Sequence, residues 1–239
     1  MRINKEKKCV EIFNAHWYLA PSGEYFPSVT SVLQTINKGY GYEEWLKSVG
    51  HNSKIIVEKA QKSGSKIHDA IERFLLGDKL EPMEFDEDEW VKMCNFANWA
   101  NSLDLEVIET ETELFSENMR IAGTADLVCR INGTVYLIDY KSGNNIYATS
   151  HLQVGAYVGM WNASHEVKIE KAGLLHVGAN VKTQKDLNNK GIKFEETEIE
   201  KSQKLFKHTL AIYDEMFRKN PPMLEYPCEL EFKGVKNEN

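Results

Sequence analysis

The chain is short of cysteine, of long apolar runs, of repeats and of net positive charge, and each shortage closes off a class of protein. Its four cysteines, Cys9, Cys94, Cys129 and Cys228, stand far apart and form no C-x-x-C pair. Neither a zinc site nor a disulfide framework is indicated, and reduced core thiols are expected. No apolar stretch approaches the roughly 18 residues of a membrane span. The opening Met1-Arg2-Ile3-Asn4-Lys5-Glu6 lacks a signal-peptide core and an acid-poor transit segment, so an intracellular, cytoplasmic, soluble protein is expected. A formal net charge of −7 weighs against a large nonspecific duplex-binding surface, because phosphate affinity grows with the number of neutralised contacts. A basic strip can still form locally from Lys54, Lys59, Lys62 and Lys66; the competing reading is a solvated helix face.

With 239 residues, 42% of them hydrophobic, the chain can bury roughly 70 to 75% of its unfolded surface in one domain. Short strands are expected at Cys9 to Phe13 and His16 to Leu19, with a turn at Pro21-Ser22-Gly23. Ser28 is placed to cap a helix from Val29 to Ile36. Helices are expected from about Glu43 to Gln61, from Ser65 to Leu76, and from the acidic Glu84 to Glu89 segment through about residue 103. Strands follow at about 105–116, 121–131 and 134–140, then a helix over 151–163 and strands near 172–178 and 192–196. Thr197-Glu198-Ile199-Glu200 has the form of a capping box, opening a helix with Ile199, Phe206, Tyr213 and Phe217 on one face. Pro221-Pro222 ends it, and a frayed tail is expected after that.

The chemistry concentrates in one hairpin. Asn132-Gly133 favours a two-residue turn, and counting outward from it sets Asp139 opposite a position near Asp126. Lys141 shares the face of Asp139 because side chains alternate with a period of two. Two carboxylates about 4 Å apart repel by roughly 4 kcal/mol at an effective dielectric near 20, and one lysine offsets part of this. A divalent cation is the simplest remedy, and oxygen ligands suit Mg²⁺ or Mn²⁺. The alternative reading is an ordinary surface ion pair beside a hairpin.

These residues resemble the PD-(D/E)XK nuclease superfamily: Asp126, then Asp139-Tyr140-Lys141. Gly123-Thr124-Ala125-Asp126 is similar to the G-x-x-D motif of its RecB-like exonuclease branch, where alanine commonly stands in for proline. Gly64 to Glu72 resembles the helix carrying that branch's metal-binding histidine, here His68, and Gln153-Val154-Gly155-Ala156-Tyr157 matches its Q-x-x-x-Y motif. Pro27 to Leu33 is similar to the opening of phage exonucleases of this type and of the mitochondrial genome maintenance exonuclease. The absence of a cysteine cluster argues against the branch's iron–sulfur members.

The resemblance runs from about residue 25 to about residue 160. It implies an α/β fold, a restriction-endonuclease-like central mixed β-sheet flanked by helices. Residues 28–104 would form a helical arch near the N-terminus, 105–220 the catalytic sheet with its helices, and 221–239 a tail. It further implies a metal-dependent deoxyribonuclease, an exonuclease acting on DNA with single-stranded ends and giving 5′-phosphates. The implied catalytic residues are Asp126, Asp139 and Lys141. The implied Mg²⁺ or Mn²⁺ ligands are His68, Asp126, Asp139, the Tyr140 backbone carbonyl and one strand glutamate. Among Glu109, Glu111 and Glu113, the resemblance leans to Glu113; an edge strand that uses charge against aggregation is the rival explanation. Substrate contacts are expected from Gln153, Tyr157, Ser28, Thr30 and Ser142.

For several of these residues a second reading stands beside the first. His68 also suits a satisfied core histidine, Gln153 a capping box opened by Ser150, and Ser28 and Thr30 simple helix capping. Tyr40, Tyr42 and Trp45 suit either base stacking or core packing. The rival functions are an endonuclease and a noncatalytic DNA-binding protein on the same fold.

Overall fold

Two sheets and six helices follow from these patterns in a computed structural model that describes residues 2–4, 9–12, 15–37, 39–143, 146–178 and 191–218. Four short strands, β1 (Arg2–Asn4), β2 (Cys9–Ile12), β3 (Ala15–Leu19) and β4 (Tyr25–Pro27), pair antiparallel in that order. Helix α1 (Val29–Leu33) follows, then α2 (Tyr40–Val49), a 3₁₀ turn at Gly50–Asn52, α3 (Ser53–Leu75) and α4 (Glu87–Asn101). Strands β5 (Leu105–Ser116), β6 (Ile121–Ile131) and β7 (Thr134–Lys141), helix α5 (Ala148–Ser164), strands β8 (Lys171–Val177) and β9 (Ile192–Glu196) and helix α6 (Ile199–Met216) complete the described chain.

The second sheet runs β5-β6-β7-β8-β9. Its pairs are antiparallel except β7 with β8, which α5 connects as a crossover. Both faces of this sheet are covered, and alternation sorts its residues between them. Leu137 and Val128 meet Val154, Trp161 and Phe206 from α5 and α6. Leu127, Ile138 and Tyr140 meet Ile67, Ile71 and Phe96 from α3 and α4. Trp161 is 1% exposed, and truncating such a residue to alanine typically costs about 3 to 5 kcal/mol.

The turn between β6 and β7 forms as its dipeptide requires: Asn132 and Gly133 both take positive φ, 49° and 85°, the signature of a type I′ turn. The helix break, however, moves. The sequence places it near Gly64, but α3 runs unbroken through Gly64, and the interruption falls at Gly50, where φ is 57°. Burial varies along the 28–104 region. Helix α1 is buried in the core through Val29, Val32 and Leu33, and α4 packs through Met93, Phe96 and Ala100. Helix α2 and the N-terminal half of α3 bury no residue.

Two capping expectations change. Helix α5 begins at Ala148, so Ser150 lies inside it and opens no capping box. Thr197 does not cap α6; its hydroxyl meets His151 Nδ1 at 2.9 Å. Cys129 is buried but Cys94 is exposed, so only one of these two is a core thiol. Cys228, Pro221-Pro222 and the tail lie outside the described residues. Among the described residues, no helix is long and apolar enough to cross a membrane.

Candidate active site

The ladder between β6 and β7 holds from Ile131↔Thr134 to Leu127↔Ile138 and stops there. One step further stand Asp126 and Asp139. The Tyr140 N–H leaves the ladder and donates to Asp126 Oδ2 at 2.7 Å. The carboxylate thus takes over a backbone hydrogen bond at the point where the strands part. Both acids are nearly enclosed, Asp126 at 9% and Asp139 at 1% exposure.

Lys141, the last residue of β7, places Nζ 2.6 Å from Asp139 Oδ2. Gln153, from the second turn of α5, joins the two: its Nε2 donates to Asp139 Oδ1 at 2.9 Å, and its Oε1 accepts from Lys141 Nζ at 3.3 Å. A second Nε2 contact reaches the Tyr157 hydroxyl at 3.3 Å. Gln153 therefore does not close a helix terminus. Tyr157 is 3% exposed and backs Gln153 through this bond.

On the opposite side, α3 brings His68 Nδ1 within 3.5 Å of Asp126 Oδ2. Ligand atoms of His68, Glu111 and Asp126 all lie within 4.8 Å of one another. The glutamate brought into this group is Glu111, not Glu113. Glu111 takes a φ of 47°, unusual for a residue with a side chain, and β5 slips register between Val107 and Glu109.

The charges are strongly interdependent. Burial works to lower the His68 pKa, but the Asp126 charge and hydrogen bond outweigh it and hold the imidazole at about 9. Burial works to raise Asp126, yet His68, Lys141 and the Tyr140 N–H bring it below the usual carboxylate range. For Asp139, burial wins: with Asp126 adding to it and Lys141 opposing, the pKa reaches about 6. Burial would lower Lys141, but Asp139 and Asp126 keep it above its ordinary value.

A family model described as the PD-(D/E)XK nuclease superfamily matches residues 40–230. The chain belongs to the PD-(D/E)XK nuclease superfamily. A comparison with curated proteins finds no match. Membership carries nuclease activity, a hydrolase acting on nucleic acid, and the five-stranded mixed sheet with flanking helices fits the restriction-endonuclease-like fold of the superfamily.

PD-(D/E)XK nucleases use divalent metals, and the residues here fit one. Two carboxylates and an imidazole within 4.8 Å are hard and borderline donors for a divalent ion. Asp139, whose pKa is raised chiefly by burial and then by Asp126, lies beside this group, where a cation would favour its charged form.

The remaining expected contacts divide. Ser28 is 2% exposed, and its hydroxyl is used internally, accepting from the Ser31 N–H at 3.0 Å and bonding the Thr30 and Ser31 hydroxyls at 2.9 Å. It is the N-cap of α1, the capping role that stood beside a substrate contact in the sequence. Thr30 is exposed and lines a cleft of about 430 Å³ with Tyr42, Thr149 and Gln153. Ser142 is half-buried, its Oγ turned toward Gly64 of α3.

A second cleft, of about 830 Å³, shares Gln34, Tyr42 and Leu46 with the first and is lined by Lys54, Lys62 and Lys66. Lys66 is committed to Glu89 at 2.6 Å, so it adds no net charge. Tyr42 and Trp45 stack on each other at 5.6 Å, and Tyr40 is 75% exposed.

Proposed function

We propose that this nuclease is a metal-dependent DNA exonuclease of the RecB-like branch, acting with Mg²⁺ or Mn²⁺ from single-stranded ends in DNA replication, recombination or repair. The observation that carries the reading is Gln153 bonded to both Asp139 and Lys141, which ties the Q-x-x-x-Y and D-x-K motifs of that branch into one site. His68, Glu111 and Asp126 would hold the cation, with Asp139 and the Tyr140 carbonyl completing the set. A divalent ion, when bound, polarises the scissile phosphate and makes water a stronger nucleophile.

The protein's own groups supply the rest. Lys141 holds the attacking water in line and offsets charge growing on the phosphate oxygens. Gln153 fixes the ammonium relative to Asp139, so no rearrangement is needed as that charge develops. The water oxygen bonds to phosphorus and releases one proton to solvent, the bond to the 3′-oxygen breaks, and that oxygen takes up a proton from solvent. A 5′-phosphate is left on the product.

Support for single-stranded substrate comes from the two joined clefts. Lys54 and Lys62 offer phosphate contacts beside the aromatic Tyr42, on helices α2 and α3. Such a passage is built for a strand, and the net charge of −7 leaves little else to hold a duplex.

The test is cleavage of end-labelled linear and closed circular single-stranded DNA with each metal. The reading expects linear DNA to be degraded, circles to resist, products to carry 5′-phosphates, and Lys141→Ala to lose cleavage while remaining folded. Rapid cutting of circles would make the protein an endonuclease, and binding without cutting under every condition would make it a noncatalytic DNA-binding protein.

A further inference from the structure

One buried polar residue near the site belongs to none of the motifs. His176 sits in β8 in the run Leu174-Leu175-His176-Val177, at 8% exposure, directly across the parallel ladder from Lys141. Its neighbours in that strand are apolar and serve the two cores: Leu174 faces one, Leu175 and Val177 the other. An imidazole there loses hydration and needs a return.

The return is a single bond. His176 Nε2 lies 2.5 Å from the carbonyl oxygen of Gly143, two residues beyond Lys141. A carbonyl only accepts, so Nε2 carries the proton. Strand β7 ends at Lys141, and the chain leaves the sheet at Ser142 and Gly143. On its far side, Ser142 Oγ stands 3.3 Å from where a Cβ on Gly64 would be, one helical turn before His68. The exit from β7 is therefore bonded by the imidazole and approached closely by the helix that carries His68.

We infer that His176 is a positioning residue for Lys141. By fixing the Gly143 carbonyl, it sets the direction in which the chain leaves β7 and thereby the height of the ammonium above Asp139. The groups that face it from the next strand are Lys193, in register on β9, and Glu195. Neither replaces the bond to Gly143. The inference rests on Lys141 acting in hydrolysis as proposed above.

The experiment compares His176→Leu, which fills the space without a donor, with His176→Gln, whose amide can donate near the Nε2 position. Steady-state cleavage of linear single-stranded DNA and Mn²⁺ titration by calorimetry are measured on both. His176→Leu is expected to lose roughly ten- to a hundred-fold in kcat, with KM and Mn²⁺ affinity unchanged, and His176→Gln to recover most of the loss. Wild-type kcat in His176→Leu, or a Gln variant as slow as the Leu variant, overturns the inference.

A measurement on the unmodified protein guards against a variant that fails to fold. Nitrogen-15 spectra of the histidines should show His176 protonated at Nε2, and an imidazole protonated at Nδ1 alone contradicts the assignment. Absence of any cleavage by wild-type protein would instead sink the nuclease mechanism itself, so the two failures are distinguishable.

Discussion

The ring of Tyr157 lies across the backbone of Gly123, so close that a Cβ on that glycine would meet Tyr157 Cε1 at 2.5 Å. The first residue of the Gly123-to-Asp126 motif thus makes room for the last residue of the Gln153-to-Tyr157 motif. Gly123→Ala should push the ring away, costing about 1 to 3 kcal/mol by overpacking. It should also slow cleavage, because Tyr157 backs Gln153. Pairing it with Tyr157→Leu should restore much of the melting temperature but not the rate. Additive losses of stability in the double variant would show that the two residues do not meet.

His68 gives the metal-free protein a defined pH dependence. Its folded pKa of about 9 lies above the ordinary 6.5, so its contribution is fully present below about pH 6.5 and is lost as pH rises through 9. Thermal melts of metal-free protein should therefore lose on the order of 3 kcal/mol across that window, and His68→Gln should flatten the change. Because a metal ligand must be neutral imidazole, apparent Mn²⁺ affinity should climb over the same range. A wild-type profile identical to that of His68→Gln would remove the ion pair with Asp126 from the account.

The choice between two glutamates is directly measurable. Calorimetric titration of Mn²⁺ should show weaker binding for Glu111→Gln and little change for Glu113→Gln, since only Glu111 joins His68 and Asp126. The reverse order would restore Glu113, toward which the resemblance leans.

Much of this site was legible because two strong rules act on the hairpin. Asn132-Gly133 fixes the turn, and a period of two then fixes Asp126 against Asp139, with no long-range information needed. Counting along β5 set Glu109, Glu111 and Glu113 on one face and could not choose among them, because the positive φ that singles out Glu111 leaves no mark in the sequence. Gly64 misled for a different reason. A glycine inside a helix weakens it without ending it, whereas Gly50 ends one by turning the backbone left-handed. Ser28 reads equally as cap or phosphate contact until its burial is known. His176 gave only one clue, a lone polar residue in an apolar strand.

The central claim is that Asp126 is shared between a cation site on the α3 side and the acid and lysine of β7. Anomalous diffraction from crystals soaked in Mn²⁺ tests it most directly. A peak about 2.0 to 2.3 Å from an Asp126 oxygen, with His68 and Glu111 also in reach, is the expected result. A fully soaked crystal with no peak there, and with the His68 and Asp126 side chains turned apart, would contradict the account.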